Sequence, residues 1–321
     1  MKMFDLMKSE LSALYVDSAQ NPFHSEPFRS CWFEHLAGSN GVQARHADFV
    51  LHHKQVAKGL ITLKELKFFA GTTAWYHDFT EAHVHSFLEL QGQLEWDYFY
   101  GVWAGSRQSF QAFQTLEDLG YPIVQGFTKP MHMVNLSEGY QSYLVAKSSK
   151  HRYQIRQKLQ KVKSLYPQLI VYDRTEDIEP FFQQFFRYHI AYWTQKTGTS
   201  FCADPQEQAF MMAFYKELHK AGKLLLQALC FNGEPVNLSV SFWEGNTLYW
   251  PLMINTGRYL EYMPGLVSLY MRIENAADRG FQFYNMGYGD FVYKVQAETH
   301  RIERNVIVIA IPKIIERTAI C

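Results

Sequence analysis

The sequence predicts a mixed α/β protein of two domains, and three observations lead there. The chain has 321 residues, enough for about two domains of roughly 150 residues each. Asn232-Gly233 and Gly245-Asn246 separate three apolar runs, the strongest local sign of an antiparallel meander. A helical segment then lies between an apolar run ending at Ile254 and another beginning at Phe281, which makes those two runs parallel neighbours across a helical crossover. The predicted sheet is therefore mixed.

Composition narrows the class. Lys+Arg and Asp+Glu both number 31, so the formal net charge is zero and no global field draws the chain to DNA or an anionic membrane. With 47% hydrophobic and 19% charged residues it can build a sizeable core. Aromatics reach 16%, with 25 Phe and 20 Tyr, which suits thick α/β packing and aromatic-lined clefts. The longest apolar runs fall short of the roughly 18 residues that a membrane span requires. Residues 1–14 mix Lys, Asp and Glu with apolar residues, unlike a signal peptide. Cys31, Cys202, Cys230 and Cys321 are far apart with no Cys-x-x-Cys pair, which suits a reducing cytoplasm rather than a zinc ribbon or disulfide frame.

In order, residues 28–36 read as a short aromatic helix after Pro27, and 49–51 and 60–69 as strands. Residues 97–103 alternate aromatics in strand fashion, and Ser106 caps a helix that runs to 119 and stops at Gly120. A further apolar stretch, 121–135, is interrupted by Gly126 and Pro130, and the domain boundary is expected at 136–142. In the second half, Ile155, Leu159, Val162 and Tyr166 space one face of a helix over 147–165, which Pro167 ends. A strand at 169–172 precedes a helix over 177–196 with Pro180 in its first turn and Gly198 past its end. Asp204, Pro205 and Glu207 form a capping box for the next helix, closed by Gly222. The meander 224–231, 236–243 and 248–254 follows, then the crossover helix from Pro264-Gly265 to Gly280, a strand at 281–286 and a closing strand at 305–311. Parallel strands that start as neighbours and splay leave a cleft, into which the crossover helix points its N-terminus.

Three motifs now stand in sequence: the basic helix start Lys150-His151-Arg152-Tyr153-Gln154-Ile155-Arg156, the helix opening Met263-Pro264-Gly265, and the ending Gly287-Tyr288-Gly289-Asp290-Phe291-Val292-Tyr293-Lys294. Their order resembles the GNAT fold of acyltransferases, and the last is similar to the Gly-Asp-x-x-Tyr-Lys signature of the CelD-type branch, related to the FemAB peptidoglycan transferases. The resemblance covers roughly residues 136–311. It implies tandem GNAT-like domains, a degenerate one over 1–138 and an acyltransferase domain over 139–321. The first lacks a Pro-Gly helix start and an Asp-x-x-Tyr-Lys ending, so no active site is expected wholly inside it. The family's Arg/Gln-x-x-Gly-x-Gly phosphate loop is missing; Asn255-Thr256-Gly257-Arg258-Tyr259-Leu260-Glu261-Tyr262 precedes Met263 instead. Acetyl-CoA or another acyl-CoA is the implied donor and co-substrate, with acyl carrier protein or aminoacyl-tRNA, which FemAB-like relatives use, also open. No permanently bound cofactor is implied.

Each candidate residue has a functional and a structural reading. Pro264, Gly265 and Leu266 open a helix whose unpaired N–H groups suit a pyrophosphate, with Gly265 allowing close approach; the alternative is an ordinary proline-led helix start. Arg258 either clamps a phosphate or is a solvated loop charge. On a helical wheel Arg152, Arg156 and Lys163 form a stripe beside the apolar face, able to reach phosphates, while Lys147, Lys150, Lys158 and Lys161 lie outward as a solvated face. Asp290 is placed to take a proton from, or orient, an amine acceptor. Tyr293 can donate to a departing thiolate, and Lys294 can bind a carboxylate or phosphate; alternatively Asp290 caps a turn and Tyr293 packs in the core. His189 lies a turn from Trp193, either as a base facing the cleft or as a core histidine. Tyr249 and Trp250 alternate faces of a strand, so one should line the cleft. His83-x-His85 on a strand would align two rings, but no third ligand accompanies it and no metal is expected. Cys230 reads as a buried hydrophobe, and Cys202 has no partner pattern for a nucleophile.

The expectation is thus a cytoplasmic acyltransferase acting by direct attack in a ternary complex. The acceptor, by resemblance, is an amine or hydroxyl of a sugar, amino acid or peptide, held between the domains against Trp193 and Tyr249. The alternatives are an aminoacyl-tRNA-dependent FemAB-like transferase and a non-catalytic binding protein on the same scaffold.

Overall fold

Among the described residues two sheets form, and each gathers strands from distant stretches of the chain. The structure is a computed structural model that describes residues 23, 25–38, 42–46, 49–56, 61–68, 79–90, 95–103, 107–128, 130–289, 291–302 and 305–310. It divides into one unit of residues 1–130 with 302–321 and another of residues 131–301.

The first unit has helix α1 (Glu26–His35), strands β1 (Val42–His46), β2 (Phe49–Val56) and β3 (Ile61–Phe68), helix α2 (Glu81–Leu90), strand β4 (Tyr98–Trp103), helix α3 (Arg107–Asp118) and strand β5 (Ile123–Thr128). Its sheet also takes the last strand of the chain, β13 (Asn305–Ala310), between β4 and β5. β1, β2 and β3 form an antiparallel meander, and β3 pairs β4 in parallel, with α2 as the crossover. The core is aromatic: Phe49, Phe79, Phe87, Trp96, Phe99 and Phe113 are all buried, with the Phe79 and Phe113 rings stacked at 4.7 Å.

The second unit begins with β6 (Met131–Asn135), α4 (Gly139–Ala146), α5 (Ser149–Val162), β7 (Gln168–Tyr172), α6 (Thr175–Thr197) and α7 (Pro205–Lys220). The meander β8 (Leu224–Phe231), β9 (Glu234–Glu244) and β10 (Thr247–Asn255) follows, then α8 (Pro264–Asp278), β11 (Phe283–Tyr288), α9 (Val292–Ala297) and β12 (His300–Ile302). The sheet order is β12-β6-β11-β10-β9-β8-β7. Alternation along β9 separates two layers. Phe242 packs with Phe214 and Tyr215 of α7, while Asn237 and Ser239 bond Ser268 of α8 and Trp250 of β10. A core of Leu225, Leu248, Trp250, Leu269, Ile273 and Tyr284 lies under α8.

Local signals set these boundaries. Asn232 and Gly233 turn the β8–β9 hairpin with φ of 50° and 81°, as that turn requires. Asp204 accepts from the N–H of Gln206 at 2.8 Å, with Pro205 first in α7. Gly198, at φ 82°, ends α6.

Several expectations need correction. The division falls at 130/131 and again at 301/302, not at 138/139, because β6 pairs β11 and β13 pairs β4 and β5. The closing strand therefore belongs to the first unit. α6 starts at Thr175, so Pro180 lies inside the helix rather than in its first turn. The basic helix begins at Ser149, and Lys147 caps the separate helix α4. His83 and His85 lie on α2, not on a strand, where positions two apart do not face each other; Nδ1 of His83 instead accepts from the N–H of Thr80 at 3.0 Å. Among the described residues no His, Cys, Asp and Glu group could hold a metal ion, and no helix is long and apolar enough to cross a membrane.

Candidate functional site

β10 and β11 pair over only three positions, Thr247 with Phe283, Leu248 with Tyr284 and Tyr249 with Asn285. Beyond them β10 continues to Asn255 against β9, and β11 continues to Tyr288 against β6. Both strands are irregular where their ladder ends. On β10, Trp250 and Pro251 together oppose the single residue Ser241, a bulge in which proline also removes a ladder donor. On β11, Met286 and Gly287 oppose His132, with Gly287 at φ 72° and its N–H donating to Oδ1 of Asn285 at 2.8 Å. Sequence chemistry thus opens the sheet at this point.

Helix α8 starts at the open end. Its N-cap, Met263, is left-handed at φ 54° and caps no N–H with its side chain, so the first turn keeps its electropositive character. The Met263 carbonyl accepts from Leu266 and Val267 at 2.9 and 3.2 Å. A Cβ on Gly265 would stand 3.2 Å from Oδ1 and 3.3 Å from Nδ2 of Asn255, and 3.4 Å from Cε of Met253. The amide that fills this place is fixed: Oδ1 of Asn255 accepts from Nδ2 of Asn237 at 2.8 Å, and Oδ1 of Asn237 accepts from Oγ of Ser268 at 2.8 Å. Sequence reasoning missed this amide–hydroxyl chain, since none of the three residues stands in a motif.

The basic residues sort differently from the wheel. Arg258 is exposed and paired with the carboxylate of Glu234, which holds its guanidinium above its ordinary pKa. Nη1 of Arg152 donates to the carbonyls of Val145 and Lys147, so it closes the end of α4; its placement as a phosphate clamp is corrected. Arg156 is exposed on α5. Two lysines read as outward-facing instead meet the segment before α8: Nζ of Lys158 lies 3.2 Å from Sδ of Met263, and Nζ of Lys161 donates to the Glu261 carbonyl at 3.1 Å.

At the end of β11, Gly289 has φ 107°, and a Cβ there would come within 2.9 Å of the Phe291 ring. Asp290 lies outside the described residues. Burial pushes the Tyr293 phenol up to about 12, and its ring stacks on Phe291 at 5.8 Å. The Lys294 ammonium donates to the Tyr288 carbonyl at 2.8 Å and lies 5.4 Å from the centre of the Phe291 ring; burial lowers its pKa to about 8.

His189 and Tyr249 are packing residues, which corrects their placement in an open cleft. Nδ1 of His189 pairs with Oγ of Ser200 at 2.9 Å, its ring meets Phe201 edge-on at 4.7 Å and stacks on Phe185, and burial lowers its pKa to about 4. Trp193 is half-buried beside it, with Nζ of Lys196 5.1 Å from its ring. Tyr249 is 2% exposed and stacks on Phe242. Trp250, 4% exposed on the opposite face, donates to Ser239 at 2.9 Å. Neither strand aromatic lines an open surface.

A family model described as "Acetyltransferase (GNAT) domain" matches residues 149–295, the stretch from the start of α5 into α9. Those residues are similar to a GNAT acetyltransferase domain. Acyl transfer is the reaction class of that domain, and the open end of β10 and β11 lies within the matched residues. Solved structures share the fold over nearly the whole chain. FemX is 11% identical with a TM-score of 0.55, covering 95% of this chain and 98% of its own. L-PGS from Bacillus licheniformis is 12% identical with a TM-score of 0.55, covering 94% and 96%. The C-terminal domain of a putative lysylphosphatidylglycerol synthetase from Agrobacterium fabrum is 10% identical with a TM-score of 0.55, covering 95% of each chain. The fold is therefore shared with FemX and with these two synthetase structures. No curated protein matches the chain.

Proposed function

We propose that the GNAT domain transfers an acyl group, acetyl from acetyl-CoA in the first instance, to an amine or hydroxyl of a sugar, amino acid or peptide by direct attack. The observation that carries this reading is the three-pair β10–β11 ladder with an uncapped helix start, Pro264-Gly265-Leu266, at its open end. The first turn of α8 seats the pyrophosphate of the donor, and a larger residue at Gly265 would have to displace the Asn255 amide beside it. Lys158 and Lys161 add positive charge to the adjoining segment.

The acceptor nitrogen or oxygen attacks the thioester carbonyl, the C–S bond breaks, and the thiolate takes a proton. Tyr293 supplies that proton, since a phenol held near 12 stays protonated through neutral pH. Asp290 receives the proton the acceptor loses. Lys294, with its pKa near 8, binds an acidic group of the substrate. Trp193 offers an apolar surface to the acceptor. Cys202 and Cys230 are buried thiols outside any disulfide, which suits action in a reducing cytoplasm.

We read the first unit as a degenerate partner of the same ancestry. Its β1–β2–β3 meander, α2 crossover and three-pair parallel β3–β4 ladder repeat the order of β8 to β11. Its own parallel pair carries a bond from the Tyr98 hydroxyl to the Glu65 carboxylate, where no donor seat is proposed.

One observation favours a second donor. The segment before α8 holds a tight turn at Leu260–Tyr262 between left-handed Tyr259 and Met263 in place of a glycine loop, and an aminoacyl-tRNA or acyl carrier protein meets the site differently there. The test is a melting-temperature shift with acetyl-CoA, then with other acyl-CoAs, acyl carrier protein and aminoacyl-tRNA, followed by release of free thiol across amino acids and amino sugars. A shift with acetyl-CoA and turnover slowed in Tyr293→Phe are the expected results. No shift with any donor favours a binding protein and overturns the reading.

A further inference from the structure

The helix that carries Tyr293 and Lys294 has little to stabilise it alone. α9 is six residues long and no side chain caps its start, well below the length at which an isolated helix holds. Phe291, Val292 and Val295 are exposed around it. Its order comes from the other end. The Tyr143 hydroxyl donates to the Ala297 carbonyl at 3.0 Å, and the Lys147 ammonium donates to the Glu298 carbonyl. The Thr299 N–H donates to the Met133 carbonyl at 2.9 Å, while Oγ1 of Thr299 accepts from the Asn135 N–H at 2.7 Å.

At the centre of these bonds, Nδ1 of His132 meets the carboxylate of Glu298. His132 is 0% exposed on β6, opposite Met286 and Gly287, where β11 has already parted from β10. Its Nε2 has no hydrogen-bond partner among the described residues. A buried imidazole with an unused nitrogen is costly to keep, and among the described residues its side chain makes its polar contact with the residue that follows α9. The other bonds to this segment come from backbone groups of β6, from Tyr143 and Lys147 of α4 and its C-cap, and from the neighbouring His300 ring on Thr299; His132 ties it by a side chain from a strand 166 positions away.

We infer that His132 and Glu298 are positioning residues for acyl transfer, fixing the last turn of α9 and so the stance of Tyr293 and Lys294 at the end of β11. This rests on the reading of α9 as the helix that serves the departing thiolate. Small displacements of such a group lower the rate of the chemical step while leaving the donor seat on α8 unchanged.

The test uses the full chain with acetyl-CoA, the panel of amino acids and amino sugars as acceptors, and free thiol as readout. His132→Leu, His132→Asn and Glu298→Gln are made alone and in a Tyr293→Phe background. His132→Leu and Glu298→Gln should lower kcat about ten-fold with KM for acetyl-CoA within about two-fold. His132→Asn, which keeps a donor near the place of Nδ1, should recover most of that loss. In the Tyr293→Phe background the same changes should lower kcat by less than about two-fold, because the group they position is gone. Amide exchange at Lys294 and Val295 should quicken in parallel. Equal losses in both backgrounds mean general destabilisation and overturn the inference, as does normal turnover in every His132 and Glu298 variant while Tyr293→Phe is slow. Normal turnover in Tyr293→Phe itself overturns the reading of α9 and the inference with it. Should His132→Leu fail to fold, His132→Asn and Glu298→Gln decide by the same comparison.

Discussion

Replacing His189 with Gln separates a packing histidine from a catalytic one. Burial among Phe185, Phe201 and Ser200 lowers its pKa from an ordinary 6.5 to about 4. Between those values the unfolded chain binds the proton and the folded chain does not, so stability rises with pH across the window and falls as pH drops through it. The full difference, 2.5 pH units at 1.36 kcal/mol each, is about 3 kcal/mol, of which about 2.5 is already lost at pH 4.5. Gln has a similar volume and no charge to gain; it forfeits ring contacts and the Ser200 geometry, roughly 1–2 kcal/mol at pH 7. Urea unfolding of both proteins from pH 7 to 4.5 should therefore show the variant less stable at neutrality and level with, or above, the wild type at the acid end. Glu207, whose carboxyl burial raises, contributes equally to both curves and drops out of the comparison. Turnover at pH 7.5 should stay within about three-fold of wild type. Parallel stability curves, or a selective loss of kcat with the acid limb of its pH profile removed, refute this placement of His189.

Gly265→Ala should bind acetyl-CoA about ten-fold more weakly by calorimetry, as the new methyl displaces the Asn255 amide, while its stability stays within about 1 kcal/mol because alanine favours the helix. Lys294→Met should flatten the rise in stability between pH 8 and 10.5, where the wild-type ammonium loses its proton in the folded state first. That rise is up to about 3 kcal/mol, and Lys147, lowered by burial to about 8 as well, leaves part of the slope in place. Arg152→Ala, by freeing the carbonyls of Val145 and Lys147, should cost about 1 kcal/mol in urea unfolding and leave acetyl-CoA affinity within about two-fold.

Much of the second unit could be read locally. Asn232-Gly233 dictates a hairpin, Asp204-Pro205 a helix start and Gly198 a stop, because each acts through its own backbone angles. The parallel pairing of β10 and β11 followed from the length of the crossover. Long-range pairing was less accessible. Nothing in the apolar run 305–310 distinguishes a last strand for the nearer sheet from one that inserts between β4 and β5. The boundary error has the same origin, since β6 is assigned by its partner β11 and not by its own composition. At the site, Pro264-Gly265 carries its meaning in the backbone and could be read, whereas the wheel for α5 left Arg152 and Lys161 in the wrong roles because their partners lie on α4 and in the segment before α8. His132 and Glu298 lie 166 positions apart and fall in no motif, so only the folded chain brings them together. For His83 and His85 the strand was only a condition for two aligned rings, and the buried Val84, Phe87 and Leu90 of segment 81–90 follow a helical spacing instead.

The central claim is that the acyl donor enters where β10 and β11 part, at the tip of α8. Amide hydrogen exchange with and without acetyl-CoA addresses it residue by residue. Slowed exchange at Gly265 and Leu266, together with residues 252–255 and 286–288, is the predicted footprint. A bound donor that leaves those amides unchanged, or protects only residues 23–128, contradicts it.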